Sequence, residues 1–295
     1  MKLKIERVLI PPMILVSLLI LSLMAVAPAG ATTETNDPHF ASVQKRLIKD
    51  GFDSGKIKRL YGRPQVVFEA KGVTVFFTYS EAKVDYDQFA NDWSIRRARE
   101  FMQTHQDDLM RAEEAYGVES QVITAILLVE TGLGSSLGKW SALNTLSTMA
   151  SLKEPETRNQ FWKMIPKSKR ISRKKFEKKA TRRSSWAYRE LKAFLKYAYQ
   201  QGLDPAEVPG SIAGAIGYAQ FMPSNILAYG KDGNNDGNVD LLNKADSMAS
   251  IAYFLKRHGW RPGISRKKAE KVIYHYNHSE YYVEVILKIA NLLKG

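Results

Sequence analysis

The run "VITAILLVETGLGSSLG", Val122 to Gly138, constrains this chain more than any other stretch. From Val122 to Val129 it carries one hydroxyl and no charge. A segment that is apolar all round has to be enclosed by other elements, so several must pack around it. In helical phase, Ile123, Ile126 and Leu127 lie seven, four and three residues before Glu130 and share its face. Glu130 then closes a core helix, and the glycines of "GLGSSLG" let backbone and ligand approach closely. Ionisable groups are rarely buried without a partner, and desolvation favours a protonated carboxyl, the form a general acid needs. The residues alone leave two readings of Glu130, a hydrogen-bonded structural group or an acid kept for chemistry.

The rest of the chain supplies the enclosure. "FASVQKRLIKDGFD" has helical spacing, and "QVVFEAKGVTVFFTYS" reads as two β-rich runs turning at Lys71-Gly72. Residues 32–93 therefore read as a small mixed α/β subdomain with a β-hairpin. From Ser94 to the end, 94–295, the periodicity is helical. "RRAREFMQTHQDDLMRAEEAYG" puts Phe101, His105, Leu109, Ala112 and Tyr116 on one side of a single helix. Between later helices, "GSIAGAIGYAQFMPSNILAYG" has small residues spaced for tight packing or close ligand approach. The fold class is mainly α.

At the N-terminus, Lys2, Lys4 and Arg7 precede an apolar centre from Met13 to Val26, with small residues at Ala29 and Ala31. This is the pattern of a secretory signal cleaved after Ala31, or of an uncleaved anchor through residues 8–27. Either implies export. The absence of cysteine excludes disulfides, thiolate chemistry and a lipid carried on cysteine. The net charge of +14 is concentrated between 163 and 183, which holds eleven Lys/Arg and one Glu. That segment reads as a solvated loop, or as a patch retained electrostatically on wall peptides or anionic membrane. Export, near-neutrality elsewhere and the lack of a nucleic-acid motif argue against nucleic acid.

Four stretches in order, "AILLVETGLGSSLG", "GSIAGAIGYAQFMPS", "DGNNDGNVDLLNKAD" and "YNHSEYYVEVIL", resemble the lytic murein transglycosylase B family over roughly residues 40–290. The resemblance implies a lysozyme-like catalytic domain that cleaves peptidoglycan glycan strands in the periplasm. Glu130 matches the family's single catalytic acid/base, and 1,6-anhydro-muramic ends are the implied product. Sugar-contacting positions carry over to Ser211, Gln220, Phe221, Tyr276, Asn277 and Tyr282, with Tyr276 as the hydrogen-bonding neighbour of Glu130. Arg182 and Arg183 match a paired-arginine position facing the glycan. A hydrolytic muramidase and a non-catalytic wall-binding protein are the competing readings.

The third stretch has physics of its own. Asp232, Asn234, Asp236 and Asn238 stand at positions 1, 3, 5 and 7 of an EF-hand-like loop, with Gly237 at position 6. Asn243 replaces the usual Glu at position 12, whereas the resembling family closes a longer loop with an Asp, here Asp246. The pattern predicts structural Ca²⁺ and no organic cofactor.

Overall fold

Helical burial patterns organise the chain from its first described residues. The computed structural model describes residues 37–78 and 86–294, which fall within a compact unit from Glu34 to Gly295. Three short helices come first, α1 (Ala41–Lys49), α2 (Ser54–Tyr61) and α3 (Ala70–Thr78). There follow α4 (Asp92–Thr104), α5 (Gln106–Tyr116), α6 (Ser120–Thr131), β1 (Trp140–Ser141), α7 (Ala142–Ser151) and α8 (Pro155–Met164). The 28-residue α9 (Arg173–Gln200) leads to β2 (Pro209–Gly210), then α10 (Pro223–Tyr229), α11 (Lys244–Arg257), α12 (Arg266–Tyr276) and α13 (Glu280–Leu292).

Two helices without a polar face form the centre. Every residue of α7 is buried, and so are most of α6. The amphipathic helices turn their apolar stripes onto these two: α9 packs on α7, and α13 and α4 pack on α6. Buried polar groups find partners, as where Tyr61 and Ser147 share a hydrogen bond of 2.7 Å. β1 and β2 pair antiparallel, Trp140 opposite Gly210. This short ladder fastens the segment after α6 to the one that begins at Gly210.

Three local expectations change. The hairpin is replaced by α3, and the sheet among the described residues is β1–β2 alone. Val73, Phe76 and Phe77 fall at helical spacing, and Phe77 meets Phe161 and Phe176 edge-on or tilted. That burial outweighs β-propensity, which is itself mostly a packing effect. Gly72, read as a turn, lies under the Trp140 indole, where a Cβ would come within 2.9 Å of Cδ2. Among the described residues, the N-terminal segment is accordingly helical rather than mixed α/β.

The long helix read through His105 divides there into α4 and α5, the residue sitting at φ −116°, ψ 29°. Its ring packs on Phe101, and burial, reinforced by the Lys244 charge, lowers its pKa. Near the C-terminus the chain breaks at Asn277–Ser279, where the Ser279 hydroxyl accepts from Tyr282 N and caps α13. Finally, the basic segment is structured. It comprises the end of α8, a 3₁₀ turn (Lys167–Lys169) and the first turns of α9. Phe176 and Ala180, one helical turn apart, are fully buried beneath it. The signal or anchor segment, residues 1–31, lies outside the described residues, among which no helix is long and apolar enough to cross a membrane.

Candidate active site

Glu130 stands at the last turn of α6, half-buried. The helix begins where Glu113 accepts from both the backbone N and the hydroxyl of Ser120, at 2.9 and 2.6 Å. It ends at Gly132, whose φ of +59° makes the left-handed cap that glycine adopts without strain. Thr131 holds the turn by donating to the Leu127 carbonyl and accepting from Gly134 N. The helix therefore delivers Glu130 to a fixed position at the edge of the core.

Tyr282 of α13 donates its hydroxyl to Glu130 Oε1 at 2.7 Å. Burial first, and the Glu130 charge second, raise the Tyr282 pKa well above that of a free phenol, so it remains a donor. Tyr276, the neighbour implied by resemblance, also feels Glu130: burial first and the Glu130 charge second raise its pKa well above that of a free phenol. Tyr276 stacks nearly parallel to Tyr282, centroids 6.3 Å apart, and donates to the Ala219 carbonyl at 2.5 Å. Its role is to pin the backbone next to Gln220. Asn277 follows at the C-cap of α12, in extended conformation between the two tyrosine-bearing helices.

Gln220 occupies the left-handed region at φ +47°, a strained place for a non-glycine residue that is held by its surroundings. Its side-chain amide donates to Gly217 O at 2.8 Å and Leu137 O at 3.4 Å, bridging to the loop behind Glu130. Tyr218 closes on the same loop so tightly that a Cβ on Gly134 would lie 2.1 Å from its ring. Ser211 is half-buried, and its oxygen accepts from Ala213 N and Ala215 N, ordering the turn after β2. Phe221 follows Gln220 with its ring turned into the core. Its ring is 2% exposed, wedged between Phe254 and Tyr276, and supports Tyr276.

Arg182 and Arg183 stand apart from this chain of contacts. With Phe76, Ser185, Trp186 and Arg189 they line a cleft of 520 Å³. The Arg183 guanidinium lies 4.0 Å from the Phe76 ring centroid and donates to Phe76 O. Burial and the Arg182 charge push its pKa down to about 10, so it is still cationic near neutrality.

One basic residue went unnoticed in the sequence. Arg97 of α4 donates to Gly132 O and Ser135 Oγ, at 3.0 and 2.8 Å, and lies over Trp93, which is 59% exposed. It ties α4 to the glycine turn next to Glu130. The only sequence signal was an aromatic and a cation four residues apart on one helix face.

In the loop from 232 to 246, the oxygen donors predicted for calcium face the loop's own N–H groups. Asp232 accepts from Asp236 N and Gly237 N, Asn234 from Asp236 N, and Asp236 from Asn238 N. Asp246 is 1% exposed and accepts from Gly233 N and Asp240 N, fastening the loop to the first turn of α11. Burial raises its pKa despite these bonds. The donor types suit Ca²⁺, but among the described residues no three carboxylate or imidazole groups converge to hold a metal.

The transglycosylase SLT domain family matches residues 35–269. The chain belongs to that family. Membrane-bound lytic murein transglycosylase B of Escherichia coli is 32% identical over 176 residues, 60% of this chain and 41% of the relative. The chain thus matches less than half the length of that relative. Among solved structures, the catenated lytic transglycosylase SltB1 of Pseudomonas aeruginosa aligns over 88% of this chain and 97% of its own, with TM-score 0.70 and 23% identity. The E. coli lytic transglycosylase Slt35 in complex with calcium aligns over 88% and 93%, with TM-score 0.68 and 20% identity. SltB3 of P. aeruginosa in complex with NAG-anhNAM-pentapeptide aligns over 87% and 78%, with TM-score 0.68 and 18% identity. The mainly α fold of the SLT-domain family is therefore the fold of this chain.

Proposed function

We propose that the protein is a peptidoglycan lytic transglycosylase using Glu130 as its single acid/base. The observation that carries this reading is the Tyr282–Glu130 hydrogen bond at the end of a buried helix. Tyr282 holds Glu130 through Oε1, and the carboxyl so positioned exchanges the proton. Glu130 gives that proton to the oxygen linking N-acetylmuramic acid to N-acetylglucosamine, and the bond from muramic C1 to that oxygen breaks. The muramic C6 hydroxyl closes on C1, and its proton returns to Glu130. No water is consumed, and an intramolecular nucleophile takes the place of the second carboxylate of ordinary glycosidases. Family membership and the ligand named for SltB3 support this course.

In this reading Gln220, Ser211, Asn277 and Tyr276 shape the glycan site, Tyr282 and Phe221 position its parts, and Arg182 and Arg183 meet the glycan or its peptide. The protein is exported, tethered through residues 8–27 or released after Ala31. Calcium, where present, is bound by Asp232, Asn234, Asp236 and Asn238 and stiffens the loop. Asp246 locks the loop to α11. The deciding experiment is mass spectrometry of murein digested by the wild type and by Glu130→Gln. Anhydro-muramic ends from the wild type alone are expected. Reducing muramic ends would establish a muramidase, and equal inactivity of both proteins would leave a binding protein.

A further inference from the structure

The basic segment is the part of the chain that glycan cleavage leaves unused. Between Lys163 and Lys178 there are eight Lys/Arg and one Glu. Glu177 is already engaged by Arg158 and Arg173, at 2.7 and 2.5 Å. The lysines at 163, 167, 169, 174, 175 and 178 are exposed and join no ion pair among the described residues. Among them project two apolar side chains, Met164 at 48% and Ile171 at 41% exposure.

This arrangement is built rather than loose. Phe161, Ile165 and Phe176 anchor it from below, all buried. Arg170 folds back to donate to Ile165 O and Lys163 O, closing the turn between α8 and α9. The Arg170 and Arg173 guanidinium groups flank the Trp162 ring at 5.5 and 5.4 Å. Met164 and Ile171 are thereby held outward on a rigid base.

We propose that this tip docks on an anionic lipid bilayer, with Met164 and Ile171 entering the headgroup layer and the lysines facing lipid phosphates. Apolar side chains set among cations are what an interfacial site requires. A soluble polyanion, or the carboxylates of murein peptides, would engage the lysines but give Met164 and Ile171 nothing to enter. The proposal does not depend on the catalytic reading, since none of these residues belongs to that site.

The test uses the full chain, so that any contribution from residues 8–27 is common to every sample. Partitioning is measured onto phosphatidylglycerol-rich vesicles, onto phosphatidylcholine vesicles and onto isolated murein. The wild type should prefer the anionic vesicles by on the order of tenfold or more, with the preference lost at high salt. Lys163, Lys167, Lys169, Lys174 and Lys175→Gln together should abolish that preference. Met164→Ser with Ile171→Ser should weaken binding several-fold while leaving it salt-sensitive. Because the chain has no cysteine, Ile171→Cys carries a unique polarity-sensitive probe. Its emission should shift to the blue on anionic vesicles. An unshifted probe, variants that bind anionic vesicles like the wild type, or lysine-dependent retention on murein in place of vesicles would overturn the proposal.

Discussion

Tyr282 Oη and Glu130 Oε1, 152 positions apart in the chain, are joined by a hydrogen bond of 2.7 Å. The bond ties α13 to the end of α6 and restrains the carboxyl. Tyr282→Phe keeps the ring and removes the donor. On the proposed mechanism, kcat should fall on the order of tenfold to a hundredfold with KM little changed, because orientation at the reacting atom is lost. Muropeptide release kinetics check this. A change confined to KM would make Tyr282 a binding group instead.

Arg97 reaches the adjoining turn from α4, at Gly132 and Ser135. Arg97→Ala removes two hydrogen bonds from a charged donor, with a stability loss of about 1.5–3 kcal/mol in all. Turnover should fall further than this alone implies, since the turn carries Glu130. Arg97→Lys, which lacks the planar fork, should restore stability only in part. Thermal melts paired with activity measure both effects.

Gly134 admits no side chain beneath Tyr218. Its φ of +92° adds backbone strain for any other residue. Gly134→Ala should cost about 1–3 kcal/mol and displace Tyr218. Pairing it with Tyr218→Ala should recover part of the loss, and a strictly additive double mutant would argue against the clash.

The 232–246 loop gives a test for calcium. A chelator should lower the melting temperature of the wild type, and Asp236→Ala should abolish the response. Identical melting curves with calcium and with chelator would remove the metal from the account, leaving the loop held by the Asp232, Asp236 and Asp246 bonds to backbone N–H groups.

Acid should loosen the N-terminal helices. The hydrogen bond from Lys192 lowers the Asp50 pKa, and that from Arg63 lowers the pKa of Asp204. A carboxyl whose folded pKa is depressed stabilises the fold above its unfolded pKa of about 3.9, and the contribution disappears as pH falls through the folded value. Melting temperature should drop more steeply below about pH 4 for the wild type than for Asp50→Asn with Asp204→Asn. Parallel curves would refute the assignment.

The part of this fold set by local chemistry was readable, and the part set by distant contacts was not. The phase of α6 followed from its own residues, and so did the position of Glu130 at its end. Which tyrosine meets Glu130 depends on how α12 and α13 break at Asn277–Ser279, a tertiary matter. Residues 65–78 look like strands until Phe77 is seen against Phe161 and Phe176. Phe221 carries a family motif position, yet only packing reveals that its face is covered. Glu190 illustrates the ambiguity of a buried carboxylate. It is 6% exposed and takes both the N–H and the hydroxyl of Ser224 at the start of α10, a structural role with nothing in its local sequence to separate it from a catalytic one.

The long helix α9 makes this last contact consequential. At 1.5 Å per residue, about 26 Å separates Arg173, at its basic end, from Glu190. A single uninterrupted helix is a stiff rod, so its two ends cannot change their spacing without breaking hydrogen bonds in between. α9 thus acts as a gauge, setting the distance between its basic end and the start of α10.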